Sequence, residues 1–339
     1  MTLLFIDSFD HYDTDDLPKK YNSVTGGTAI SAGNGRYGTD GLYILGGGGE
    51  QSIQKNLPGS YTTLIIGFAF KYVGASNGRL IRFLDGGTSQ VSVRQNNDKT
   101  FSVLRDGTTL ATSTESFFMD QWYHLEFKAL ISNTVGTIDL LIDGISWISE
   151  TGLDTQQSGS NTVNIIRVLT ENNYQNLLID DLYVLNTSGT VNNDFIGDYR
   201  VEALFPNGAG NAAEWDRYPD GGEANYENVD ENPSDEDTTY NHQDAAGLPQ
   251  QDTHVMDDLT TSAGVVAGIQ TMLDTRKDDA GVVTINPVLR QSGTDYDKTS
   301  INLNDSYNLK LEVVEEDPSG GSWTIAGVNS VELGYRRSA

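Results

Sequence analysis

The chain has 339 residues, 48 Asp and Glu against 21 Lys and Arg, a formal net charge of −27, 37% hydrophobic residues and no cysteine. Such charge repels nucleic acid and anionic membrane surfaces, so neither DNA nor RNA is an expected partner and no apolar run suits membrane insertion. Without cysteine there are no disulfides, thiolate metal sites or cysteine nucleophiles, which fits folding in a reducing cytosol.

The opening stretch "LLFIDSFDHY" lacks the basic start and long apolar core of a secretory signal, and is expected to be the first strand. Period-two alternation broken by turn dipeptides recurs from there, and helical periodicity is scarce. Asp85-Gly86, Asp106-Gly107 and Asp143-Gly144 each suit the positive φ angles of a tight hairpin. In "QWYHLEFKAL", Tyr123, Leu125 and Phe127 share one face and His124, Glu126 and Lys128 the other. "NLLIDDLYVLN", residues 176–186, reads as a strand carrying two adjacent acids, Asp180 and Asp181.

Past it the chain changes character. Residues 191–252 are acidic and rich in Gly and Asn, and after one strand near 198–205 they read as a long connecting segment. Alternation resumes over 253–339, where Asp279-Ala280-Gly281 offers a turn between two strands and Asp317-Pro318-Ser319-Gly320 offers another. Charge is uneven: residues 1–197 hold 21 acids and 12 bases, residues 198–339 hold 27 and 9. The fold class is therefore all-β: an antiparallel jelly-roll sandwich over 1–190 and a second, smaller β domain at the C-terminal end.

The candidate sites start with the acid pair. Asp180 and Asp181 satisfy backbone N–H groups, as buried carboxylates must, or join Asp7 of the paired first strand around a structural calcium ion, or form a catalytic pair. No other cofactor is called for. Glycoside hydrolysis on a sandwich needs two carboxyl groups across the scissile bond. The nearest stretch, "EWDRYP", has Glu214 and Asp216 but Tyr218 and Pro219 where the second glutamate would stand. The run Asp230, Glu231, Asp235, Glu236, Asp237 lacks the order of an EF-hand loop. His11, His124, His242 and His254 are too scattered for a zinc pattern. Trp122, Trp147, Trp215 and Trp323 suit sugar stacking, or core anchoring as is commoner in sandwiches.

The order of "LLFIDSFDHY", "QWYHLEFKA", "IDLLIDGI" and "LLIDDLYVLN" resembles the laminin-G-like, concanavalin A-like superfamily over about the first 190 residues. The continuation, with "GTVNNDFIGDYRVEALFPNGAG", "ANYENVDE", "DEDTTY", "RKDDAG", "DPSGGSWT" and "VNSVELG", is similar to tailed-bacteriophage structural proteins in which this sandwich precedes a second β domain. The resemblance implies a non-enzymatic virion surface component, of the tail fibre, tail tip or head decoration type, assembled in the bacterial host cytoplasm. It implies other capsid or tail proteins as partners, a homo-oligomer such as a trimer, and a lectin-like domain able to contact host-surface glycans. The alternatives are a glycan-cleaving enzyme of this fold and a free carbohydrate-binding module.

Overall fold

The computed structural model describes residues 2–74, 77–222, 224–244 and 247–338. It is all-β and antiparallel, and it divides into two units, Met1–Val201 and Glu202–Ala339. Among the described residues no helix is long and apolar enough to cross a membrane.

The first unit is a jelly-roll sandwich of two sheets. In the first sheet the strands run, edge to edge, Ile145–Leu153, Gly136–Ile142, Tyr123–Leu130, Thr63–Gly74, Asn176–Asn186, Gly41–Ile44 and Thr28–Ser31. The opening strand Leu3–Asp7 also pairs with Asn176–Asn186, setting Phe5 opposite Val184 and Asp7 opposite Leu182, as the matching apolar patterns of the two stretches require. In the second sheet the order is Thr108–Thr112, Phe101–Arg105, Thr88–Gln95, Gly78–Asp85, Val163–Thr170, Gln51–Tyr61 and Ser23–Thr25.

Alternation decides what lies between the sheets. Tyr123, Leu125 and Phe127 turn inward, and Phe127 meets Phe83 of the second sheet at 5.1 Å between ring centroids. Phe70 meets Phe101 at 5.8 Å, and Tyr72 and Phe117 extend this aromatic layer. The hairpins follow from backbone chemistry: Asp143 and Gly144 sit at φ 50° and 74°, the left-handed pair that a two-residue turn needs.

The second unit holds a sheet ordered Pro206–Ala213, Gln250–Met256, Glu332–Arg337, Thr284–Gln291 and Thr294–Asp297, with Ile301–Asn302 also on Thr284–Gln291. Its core gathers Leu289, Val314, Trp323, Val328 and Val331. The Asp317–Gly321 turn closes as its residues suggest, through Gly320 N–H to Asp317 O at 2.8 Å.

Residues 191–252 differ from a plain connector. Residues up to 201 belong to the first unit, whereas Pro206–Ala213, Asp216–Tyr218 and Tyr240–His242 are strands of the second. Residues 198–205 are not a strand. The small side chains of "PNGAGNAA" carry no apolar signal, and that strand exists because Gln250–Met256 lies beside it. The strands on either side of Asp279-Ala280-Gly281 also do not pair: Ile269–Thr275 pairs instead with Asn308–Val314.

Candidate functional site

The three acids considered for calcium do not converge. Asp7 is fully buried, and donors already occupy both its oxygens. Oδ1 accepts from Lys20 Nζ at 2.8 Å and Phe9 N–H at 3.0 Å, and Oδ2 from the hydroxyls of Tyr12 at 2.6 Å and Tyr21 at 2.7 Å. The calcium expectation is corrected at Asp7: an ammonium ion sits where a cation would have to bind. Burial pushes its carboxyl up, but the Lys20 charge together with the hydrogen bonds from Lys20 and Tyr12 holds it below the usual range. Among the described residues, no group of three or more His, Asp or Glu side chains is arranged to hold a metal ion.

Asp180 and Asp181 stand at a bulge where pairing with Thr63–Gly74 skips from Asp180 to Tyr183, and Asp181 is left-handed at φ 55°. Asp180 accepts the Asp181 N–H at 2.8 Å and the Arg36 N–H at 2.7 Å. Asp181 Oδ1 accepts the Val201 N–H at 2.8 Å, and its Oδ2 lies 3.6 Å from the Arg36 guanidinium. Burial and then the Asp181 charge raise Asp180 to about 8, and burial raises Asp181 to about 6.

Asp181 thereby anchors a strap, residues 194–201, laid over the outer face of the first sheet. Lys128 pairs with Asp194 at 2.8 Å and lies 4.8 Å from the Phe195 ring. Buried Glu126 Oε1 accepts the Gly197 N–H at 2.9 Å and the Tyr183 hydroxyl at 2.7 Å. Arg36 grips Asp198 through both guanidinium nitrogens, one at 2.5 Å. His124, stacked 5.8 Å from Tyr183, is 1% exposed and is held neutral by burial, with its pKa lowered to about 4.

The outer face of the second sheet carries a different set. Cross-strand register aligns Gln54, Arg167, Arg82 and Ser92 in one row, with Arg79 and Arg94 paired one step along. Glu50 and Glu171 flank the row. Arg82 pairs with Glu50 at 2.6 Å and with Glu171, Arg167 pairs with Glu50 at 2.5 Å, and Arg79 pairs with Glu171 at 3.1 Å. Gln54 Oε1 braces Arg167 at 2.5 Å. Burial pushes the Glu171 carboxyl up, but the Arg79 backbone N–H and the Arg79 and Arg82 guanidiniums hold it below its ordinary value. Loop 157–162 is tied to one end of the face by Gln90, which takes the Gln157 N–H at 2.6 Å and gives to Thr162 O at 3.0 Å. All five ionic side chains of the row remain 17–28% exposed.

Three of the twelve bases in residues 1–197 therefore meet two glutamates on one sheet face, and a fourth, Arg94, stands opposite Arg79 and donates to Asn96 Oδ1, inside a stretch whose net charge is negative. Sequence reading missed this cluster. Its signal was arginine set within apolar strands, one in "NIIRVLT" and two in "RLIRFLD". Three of the four tryptophans make packing or hydrogen-bond contacts, Trp147 5.9 Å from Phe101, Trp215 edge-on to Tyr335 at 4.7 Å and Trp323 donating to Val314 O at 3.0 Å, whereas half-buried Trp122 lies under Lys71 Nζ at 5.0 Å. In the acidic run, Glu231 and Asp235 take the Thr239 hydroxyl, and Asp237 pairs with Arg276.

No family model matches the chain, and no curated protein does. Solved structures with a similar fold include alginate lyase Aly36B, 12% identical, with a TM-score of 0.40 over 54% of this chain and 96% of the lyase. A carbohydrate esterase from the Shiga toxin-encoding bacteriophage phi24B is 17% identical, with a TM-score of 0.35 over 53% of this chain and 99% of its own. The carbohydrate-binding module CBM66 from Bacillus subtilis is 11% identical, with a TM-score of 0.32 over 48% and 92%. The strand orders of the two sheets define the class as a β-sandwich jelly roll, and these three matched structures are carbohydrate-binding or carbohydrate-active proteins. The expectation of a non-enzymatic chain is corrected here, because the matched structures include polysaccharide lyases and an esterase. A missing Glu-x-Asp-x-Glu strand excludes one hydrolytic arrangement and leaves the others open.

Proposed function

We propose that the first unit binds an anionic polysaccharide along the arginine row of its second sheet, and that the chain is a surface component of a tailed-phage particle in which this unit meets a host glycan. The observation that carries the binding reading is the surplus of guanidinium over carboxylate on that face. Two glutamates hold Arg79, Arg82 and Arg167 in fixed orientation but cannot neutralise them together with Arg94. Planar guanidiniums suit bidentate pairing with uronate carboxylates or sulfate esters. A ligand lying across the strands would meet them in succession. The particle reading is supported by the sequence resemblance to phage structural proteins, with a homo-oligomer as its expected state.

The test is a binding titration of the purified chain with uronate-bearing, sulfated and neutral polysaccharides, with its mass in solution measured alongside. Ultraviolet absorbance of unsaturated products and a reducing-end assay report whether a bound chain is cut. Binding confined to the anionic chains, weakened at least tenfold in Arg82→Gln/Arg167→Gln and by added salt, is the expected result. Equal binding of neutral glucans, or binding indifferent to these arginines, would overturn the proposal.

A further inference from the structure

At the N-terminal end of the first unit an ion pair is sealed away from water. Lys20 Nζ and Asp7 Oδ1 are 2.8 Å apart, and neither side chain has any exposed surface. Phe5, Phe9, Tyr12, Leu17 and Tyr21, each no more than 4% exposed, enclose them, and the Phe5 and Tyr12 ring centroids lie 5.6 and 5.0 Å from Nζ. Two opposite charges in such a dry place carry a heavy desolvation cost that a neutral product would not.

The groups around the pair are arranged for making such a product. The Tyr12 and Tyr21 hydroxyls both point at Asp7 Oδ2, where they polarise the carboxyl and can hold negative charge building on that oxygen. His11 Nε2 is 2.8 Å from Lys20 Nζ, so the ring accepts a hydrogen bond from the amine and orients it. Burial keeps the imidazole neutral, with its pKa lowered to about 3, and also lowers that of Lys20, which favours the free amine.

We propose that Lys20 and Asp7 condense into an intramolecular amide bond. Nζ passes one proton to Asp7 Oδ1, its ion-pair partner at 2.8 Å, and as the free amine attacks Asp7 Cγ. The adduct rests its charge on Oδ2 beneath the two tyrosine hydroxyls. Nζ then yields a second proton, and Oδ1 leaves as water with both protons. One Nζ–Cγ bond forms and one Cγ–Oδ1 bond breaks. Ammonium plus carboxylate become amide plus water, with nothing oxidised or reduced and no co-reactant needed. The bond ties the opening strand Leu3–Asp7, partner of the closing strand, to the Leu17–Lys20 turn, a covalent brace in a chain that has no cysteine.

Intact-mass spectrometry of the purified full chain decides the matter without any variant. The expected mass is one water below that of the sequence, with a branched peptide joining Asp7 to Lys20 after denaturation and proteolysis. His11→Gln should accumulate folded chain of the full mass, and Asp7→Asn should lose ammonia in place of water. A full-mass wild-type chain after prolonged incubation at neutral pH would overturn the proposal. So would a water loss mapped to an Asp-Gly dipeptide with the Asp7 and Lys20 peptides separate.

Discussion

Tyr183→Phe isolates the polar attachment of the strap over the first sheet. The substitution removes the hydroxyl that donates to Glu126 Oε1 at 2.7 Å and leaves the ring in place beside Gly67. Glu126 is 1% exposed and keeps one donor, the Gly197 N–H at 2.9 Å. Loss of a hydrogen bond to a charged group costs roughly 1.5–3 kcal/mol, and no cavity larger than one oxygen is left behind to add to it. With a urea m-value of about 2 kcal/mol/M, a loss of about 2 kcal/mol lowers the midpoint of the first unit by about 1 M. Urea titration gives that midpoint. Hydrogen exchange of peptides spanning 194–201 locates the effect, which should speed exchange there and spare 123–130 at low denaturant. An unchanged midpoint with unchanged exchange over 194–201 would refute the assignment of Glu126 as the strap's buried anchor.

Two further outcomes follow from the same face. Gly67→Ala places a Cβ 2.1 Å from Tyr183 Cζ, so the ring or the strand must move; a loss of about 3 kcal/mol or more is expected in thermal or urea unfolding, and Gly67→Ala/Tyr183→Ala should lose less than the sum of its parts. The pH dependence of stability should fall on the alkaline side. Below about pH 6.5 the raised Asp10 and Asp181, both at about 6, are opposed by His11, His124 and His254, which burial lowers to between about 3 and about 4; above it folded Asp180, raised to about 8, still holds a proton that the unfolded chain has lost, so stability falls as pH rises from about 7 through 8. Urea titrations at about pH 7 and about pH 9 should show the lower midpoint at the higher pH, and equal midpoints would contradict the buried-acid account.

What was legible in the sequence was what local stereochemistry enforces. Asp143-Gly144 had to be a turn because few other pairs accept two positive φ angles, and alternation in 123–130 fixed which side chains face the second sheet. Alternation does not say whether the other side is covered. His124 and Glu126 fall on the polar face by pattern, yet each is 1% exposed, because the strap laid over them comes from some seventy residues further along, as the Gly197 N–H bond to Glu126 shows. The strand Pro206–Ala213 was illegible for a related reason: its partner, and not its composition, makes it a strand.

Neighbouring acids suggested one shared cation, but a strand sends adjacent side chains to opposite faces, and the bulge at Asp181 altered that default without bringing the carboxylates to a common point. Each took a separate backbone donor, Arg36 N–H for Asp180 and Val201 N–H for Asp181, and Asp7 took Lys20. Charge matching is therefore largely completed within the first sheet and its strap, where Lys128 and Arg36 also meet Asp194 and Asp198. The second sheet is where it stays incomplete, with four arginines against two glutamates. In a chain carrying a net charge of −27, guanidiniums left over on one exposed sheet face are poorly explained by solubility, which acids already supply. They are better explained by an anion that the folded chain does not itself contain, and for that reason the arginine row, and not the acid pair, is the place to look for a ligand.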